Sequence, residues 1–331
     1  MCGLEACLFL AEKGYCSLCH RSEAIHMRKY SGERLCRRCF IKTFERRVAK
    51  TISEYDMFHY DDRIVVAVSG GKDSLSLMDL LARIESLHPY SELIAVTVDE
   101  GISGYRDEAV EIARVEARNK GVEHMVVSFK DQFGYTLDEM VAVLKERGSE
   151  TYPCTICGVL RRRSLGQAAR AVGADVVATA HTLDDVVQTY ILNIVRGDLV
   201  KPRAGRVENQ LIPRVTPFRL TPEKEVALYA YLKGMYLQTH ACRYASTSSR
   251  NLIRFFLSDF EAKHPGSLFT ALRSLERMPL PEKTTVSMKC RICGELSSRE
   301  ACRACEILGT VSGKVRKTPS RRRPRLARFV K

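Results

Sequence analysis

Short, near-continuous apolar runs alternate along this chain with longer segments whose apolar positions recur every three or four residues. The runs fall at residues 64–68 (Ile-Val-Val-Ala-Val), 93–98, 124–129 and 175–180. Between and after them, helical spacing covers residues 74–84, 105–120, 137–147, 161–172 and 183–195. Apolar strands separated by helices predict an α/β fold, a doubly wound parallel sheet with helices on both faces. Residues 40–60 read as a helix leading into the sheet, with Tyr55, Phe58 and Tyr60 expected to pack on the core. Residues 196–222 carry Gly197, Pro202, Gly205, Pro213, Pro217 and Pro222 and read as an extended connection. Helical spacing returns at 223–235, 251–262 and 268–277, and Pro279 and Pro281 mark a boundary.

In such sheets the ligand lies at the carboxyl ends of the strands. Ser69-Gly70-Gly71-Lys72-Asp73-Ser74 occupies that position, between the first run and a helix. Glycines let backbone N–H groups close on an anion, and a helix N-terminus favours phosphate. Lys72 adds a cation, and Ser69 and Ser74 add hydroxyls. Asp73 repels phosphate, which orients it toward a magnesium ion or the loop backbone. The Walker spacing G-x-x-x-x-G-K-[ST] is absent. The edge positions Ala67, Val98 and Ala180 are candidates to hold adenine through their backbone groups. Asp99-Glu100-Gly101-Ile102-Ser103-Gly104-Tyr105-Arg106 fits a loop over the nucleotide or a plain connection. His181-Thr182-Leu183-Asp184-Asp185 follows the last run; its acids suit a helix start, a metal or catalysis.

The cysteines change the picture at both ends. Of thirteen cysteines, Cys16, Cys19, Cys36 and Cys39 form two C-x-x-C pairs near the N-terminus, and Cys290, Cys293, Cys302 and Cys305 form two more near the other end. Each quartet suits one tetrahedral zinc ion. Cys154 and Cys157 make a central pair, and Cys242 is the one other cysteine in that region. Three thiols fit an iron–sulfur cluster with one iron open, or a redox pair beside an unrelated buried cysteine. Arg161, Arg162 and Arg163 follow directly. Cys2 and Cys7 receive no role.

The formal charge of +14 points to a polyanionic partner. Arg28, Lys29, Arg34, Arg37 and Arg38 crowd the first cysteine module, and the 314–331 tail carries Arg321, Arg322, Arg323, Arg325 and Arg328. No apolar run reaches membrane-spanning length, and the N-terminal residues lack a secretion pattern. A reducing cytoplasm is the expected setting. The organisation reads as a zinc module at 1–45, a catalytic domain at 46–285, a second zinc module at 286–310 and a basic tail at 311–331.

The Ser69–Ser74 loop resembles that of the N-type ATP pyrophosphatases. Together with DEGISGYR, PCTICGVLRR, ATAHTLDD and the flanking cysteine modules, it resembles the TtuA-type tRNA 2-thiouridine synthetases, a group that includes the cytosolic wobble-uridine thiolation enzymes. The resemblance runs over residues 16–305. It implies a tRNA uridine 2-sulfurtransferase that uses ATP and Mg2+ to adenylate uridine O2, releases pyrophosphate, and lets sulfur displace AMP at C2. It also implies a 4Fe-4S cluster on Cys154, Cys157 and Cys242, two Zn2+ ions, and a catalytic role for Asp185. Arg161 stands where TtuA itself has a lysine and the wobble branch an arginine, which favours phosphate contact over proton donation. The implied partners are tRNA, a ubiquitin-like sulfur carrier ending in a thiocarboxylate (or free sulfide), and a second copy in a homodimer. Cytidine thiolation and a non-catalytic zinc RNA-binding protein are the rival readings.

Overall fold

The computed structural model describes residues 14–149, 151–197, 212–238, 240–245, 250–279 and 288–313. The basic tail, Cys2, Cys7, Pro202, Gly205 and Pro281 lie outside the described residues.

In chain order the elements begin with a hairpin, β1 (His26–Arg28) and β2 (Glu33–Leu35), and a long helix, α1 (Arg37–Glu54). The central part follows as β3 (Arg63–Ala67), α2 (Lys72–Glu85), β4 (Glu92–Asp99), α3 (Arg106–Asn119), β5 (Glu123–Ser128), α4 (Phe129–Phe133), α5 (Leu137–Glu146), α6 (Pro153–Ala171), β6 (Val176–Ala178) and α7 (Leu183–Val195). Then come β7 (Arg214–Val215), α8 (Glu223–Leu232), α9 (Arg250–Lys263), α10 (Ser267–Arg277), a second hairpin β8 (Met288–Lys289) and β9 (Leu296–Ser297), and α11 (Arg303–Ser312).

Five parallel strands form the sheet in the order β5-β4-β3-β6-β7. The strand order reverses direction between β3 and β6, the place where such sheets open a crevice at their carboxyl ends. Alternation across the pleat explains the continuous apolar runs. Ile64 and Val66 enter one core with α1, α2 and α8, while Val65, Ile94 and Val96 enter the other with α5, α6 and α11. A third cluster joins Leu183 and Val187 of α7 to Leu257 of α9 and Leu268 and Leu272 of α10.

Helix starts follow local chemistry. Thr136 and Glu139 close a capping box on α5, and Thr182 and Asp185 close one on α7. Pro153 sits at the first position of α6, where its missing N–H costs nothing. That helix therefore begins well before the expected 161–172 segment and takes in Cys154 and Cys157. The 196–222 connection contains β7, whose Val215 is fully buried and receives the N–H of Thr179. Flanking prolines hid a two-residue edge strand. α1 stops at Glu54 and α8 at Leu232, each short of the expected end. Tyr55 and Phe58 pack against the core as expected, but Tyr60 is exposed.

Candidate functional site

The loop between β3 and α2 crosses behind α3. Gly70 takes φ +82°, and a Cβ there would stand 2.5 Å from the carbonyl oxygen of Ala109. Only glycine fits both the left-handed backbone and the close approach. Gly71 then caps α2, and the Ser74 hydroxyl ties the turn by accepting the Ser69 N–H at 3.0 Å and donating to the Gly71 carbonyl at 3.0 Å. Arg106, itself buried, donates to the carbonyls of Ser69 at 3.0 Å and Val98 at 2.5 Å and pairs with Glu100 at 2.7 Å. One guanidinium thus ties together the ends of β3 and β4.

Lys72 reaches Asp73 at 2.9 Å and Glu223 at 2.7 Å. Glu223 also pairs with Arg254 of α9 at 2.6 Å, and its backbone N–H donates to Asp184 at 2.7 Å. Burial pushes the Asp73 carboxyl up to about 6, against the pull of Lys72, and its Oδ1 is buried with no hydrogen-bond partner. Burial likewise raises Asp184 to about 6. An orphaned carboxylate oxygen beside a phosphate-type turn fits a cation such as magnesium. Asp185 contributes to the field at Asp73 and accepts from the Thr182 N–H at 3.1 Å and hydroxyl at 3.2 Å. Ala67 ends β3, Val98 lies next to the end of β4, and Ala180 follows β6 half-buried.

The central cysteines come together at the rim of this crevice. Cys154 and Cys157 sit one turn apart on α6, and the Cys154 thiol donates to the Tyr244 carbonyl at 3.3 Å. The segment carrying Cys242 is pinned to α5, since Asp138 accepts from Arg243 at 2.9 Å and from the Tyr244 hydroxyl at 2.7 Å. Burial pushes the Cys157 thiol up to about 11, opposed by Arg161 and reinforced by Glu100, Cys242 and Cys154. Arg161 lies 3.5 Å from Glu100. The three thiols stand wider apart than a single tetrahedral ion allows, because among the described residues only the terminal quartets gather their sulfurs within 4.8 Å. A mononuclear zinc does not fit that spacing.

Zinc–sulfur bonds of about 2.3 Å put the sulfurs of a tetrahedral site about 3.8 Å apart. Cys19 and Cys36 are 3.9 Å apart, and Cys293 and Cys302 are 3.7 Å apart. Both quartets therefore fit zinc. Burial raises the Cys16 and Cys290 thiols, but surrounding backbone N–H groups more than reverse it and hold each at about 6. Arg163 of α6 adds a cation 3.5 Å from Cys302 and 3.5 Å from Cys305. Sequence reasoning did not single out Glu100, Arg106, Asp138 or Glu223, and it named Arg163 only within the run Arg161–Arg163. Glu100 and Arg106 were inside a quoted loop motif; the others carried no local signal.

A glycine turn, a lysine and a crevice at the strand reversal define a PP-loop nucleotide-binding protein. The family model described as a PP-loop domain matches residues 41–259. The "Cytoplasmic tRNA 2-thiolation protein 1" of Chlamydomonas reinhardtii is 37% identical over 304 residues, covering 88% of this chain and 84% of that protein. Its Xenopus laevis counterpart is 33% identical, covering 88% and 87%. The U34-tRNA thiolase NcsA of Methanococcus maripaludis, solved with its [4Fe-4S] cluster, superposes with a TM-score of 0.79 at 32% identity, over 92% of this chain and 98% of that one. The chain belongs to the PP-loop family, in the branch of the tRNA 2-thiolation proteins.

Proposed function

We propose that this protein is a cytoplasmic tRNA uridine 2-sulfurtransferase acting on the uridine at position 34, the nucleotide named for the archaeal neighbour. The observation that carries the reading is the meeting of two chemistries at one crevice. The Ser69–Ser74 turn faces the strand reversal, and Arg106 and Glu100 connect it to Arg161 and Cys157 on α6.

Phosphate entering the turn would meet the first N–H groups of α2 and draw Lys72 away from Asp73 and Glu223. Asp73, with its orphaned oxygen, would hold magnesium against the phosphates. Attack of uridine O2 on the α-phosphorus forms the adenylate and expels pyrophosphate; Lys72 and the turn stabilise the charge that develops on the phosphate oxygens. Asp185, fixed by Thr182, points to the same acidic cluster and is assigned to orienting the reacting nucleotide. A sulfur nucleophile then attacks C2, and the C2–oxygen bond breaks to release AMP. Cys154, Cys157 and Cys242 would hold a 4Fe-4S cluster, which would supply a binding place for the sulfur to be transferred. Arg161 lies beside that site to neutralise phosphate. The terminal quartets hold structural zinc, the sulfur comes from a ubiquitin-like thiocarboxylate carrier or sulfide, and the working unit is a homodimer. The zinc modules, the catalytic domain and the basic tail are assigned as read from the sequence, with α1 running across the 45/46 bound and α11 across the 310/311 bound.

The test is anaerobic: cluster-loaded protein, ATP, magnesium, sulfide and unmodified tRNA, followed by nucleoside mass spectrometry. 2-Thiouridine mapped to the wobble position, and lost in Cys242→Ala, is the expected result. A loaded protein that makes AMP but no thionucleoside would overturn the assignment.

A further inference from the structure

One face of α9 carries a stripe of large side chains in solvent. Leu252 is 76% exposed, Phe255 71%, Phe256 58% and Phe260 43%. Their spacing puts them on the outer side, while Leu257 packs inward against α7 and α10. The rings are ordered as a ladder: Phe256 and Phe260 lie 6.0 Å apart and Phe260 and His264 4.8 Å apart, tilted rather than edge-on. A contiguous apolar stripe of this size matches the largest patch of an ordinary monomer, and such patches are often functional.

The stripe begins at the crevice. Arg254, next to Phe255, pairs with Glu223, which also holds Lys72 of the phosphate turn. Arg250, at the start of α9, adds its charge to His181 and to Arg162. Arg162 is depressed by burial and by the repulsion of Arg161 and Arg250. Cations gathered against their own repulsion call for a polyanion.

We propose that this rim and ridge form the track for single-stranded nucleotides flanking the target uridine. Arg162 and Arg250 take phosphates, and Phe255, Phe256 and Phe260 take the faces of unstacked bases. The inference rests on the tRNA-thiolase reading and gives that reading a substrate surface. A second copy is the weaker occupant. The four side chains expose about 450 Å², so self-pairing of the stripe buries roughly 900 Å² against the ~1,200 Å² at the lower end of stable interfaces. The arginines, moreover, would face arginines.

The experiment measures tRNA affinity, thiolation and oligomeric state of the full chain with three double variants: F255A/F256A, F255L/F256L and F255Y/F256Y. Wild-type protein that thiolates tRNA secures the underlying reading independently of the variants. Stacking on a base is worth enough for two lost rings to weaken tRNA binding about tenfold to a hundredfold. The alanine and leucine variants should both show that loss, with ATP binding unchanged, and tyrosine should retain wild-type affinity. Arg162→Ala should lower the salt slope of binding by about one. Alanine and leucine variants that bind tRNA as wild type overturn the track. So does a result in which leucine restores function and alanine alters only the oligomeric state, since a protein interface needs apolar area and not a π face.

Discussion

Glu225 of α8 is a buried carboxylate that binds the N-terminal module to the sheet domain. Its Oε2 accepts from Arg28 Nε at 3.1 Å and from Arg28 Nη2 at 2.9 Å, its Oε1 lies 3.1 Å from Arg47, and the Tyr30 hydroxyl donates to Oε1. Arg28 belongs to β1, so the contact joins segments 197 residues apart. Replacing Glu225 by Met leaves two guanidiniums facing each other in a dry interface, with only the partly exposed Glu33, 3.2 Å from Arg28, to offset them. Breaking a buried pair in this way costs about 3–5 kcal/mol. At roughly 2–4 °C per kcal/mol for chains of this class, the melting temperature should fall by roughly 6–20 °C. The assay is far-UV circular dichroism melting at one scan rate, beside the R28M/R47M/E225M variant. An apolar triad of similar volume restores much of the loss, because most of the penalty comes from the stranded charges. A single-variant loss under about 1 kcal/mol, or a triple variant as unstable as the single one, would refute the argument. Acid provides a second arm. Burial alone would raise Glu225, but Arg47 and Arg28 outweigh it and hold the carboxyl below the ordinary glutamate range. Its stabilisation is therefore present above the unfolded value of about 4.5 and is lost as pH falls below it; E225M should lack that acid limb.

Gly70→Ala should remain folded outside the turn yet bind ATP at least about tenfold more weakly by calorimetry, since a left-handed φ and a 2.5 Å approach to Ala109 both oppose a methyl group. His124 is buried on the Thr97 hydroxyl at 2.7 Å, and burial depresses it to about 4. The unfolded chain binds its proton first, so stability should drop by up to about 3 kcal/mol as pH falls from about 6.5 to about 4; His124→Gln should flatten that limb in denaturant titrations. Arg163→Ala removes the cation beside Cys302 and Cys305. Chelator competition should show the C-terminal site binding zinc about 10–100-fold more weakly, with the N-terminal site unaffected.

The parallel sheet was legible because each strand is buried on both faces and writes an unbroken apolar run. The phosphate turn and the cysteine quartets were legible because their groups are local in sequence. The sheet edge was not: β7 is two residues long and sits between prolines. The start of α6 carried its signal, Pro153 at the first helical position directly before the cysteine pair. Glu223 and Asp138 have no local signature at all. They matter only because folding carries α8 to the phosphate turn and the Cys242 segment to α5. Such residues are specified by topology, which the spacing of apolar positions constrains only in outline.

The sharing of α6 has a consequence for how the protein matures. Its first turn bears Cys154 and Cys157, and two turns later Arg163 grips the sulfurs of the C-terminal quartet. At about 1.5 Å per residue, Cys157 and Arg163 are roughly 9 Å apart along a single rod. A rod fixed at one end cannot turn freely at the other. The contact of Arg163 with the C-terminal quartet therefore fixes the azimuth at which Cys154 and Cys157 leave α6. If the C-terminal quartet takes a metal ion and the central thiols take a cluster, the ion would be loaded first, onto a helix that Arg163 ties to its sulfurs.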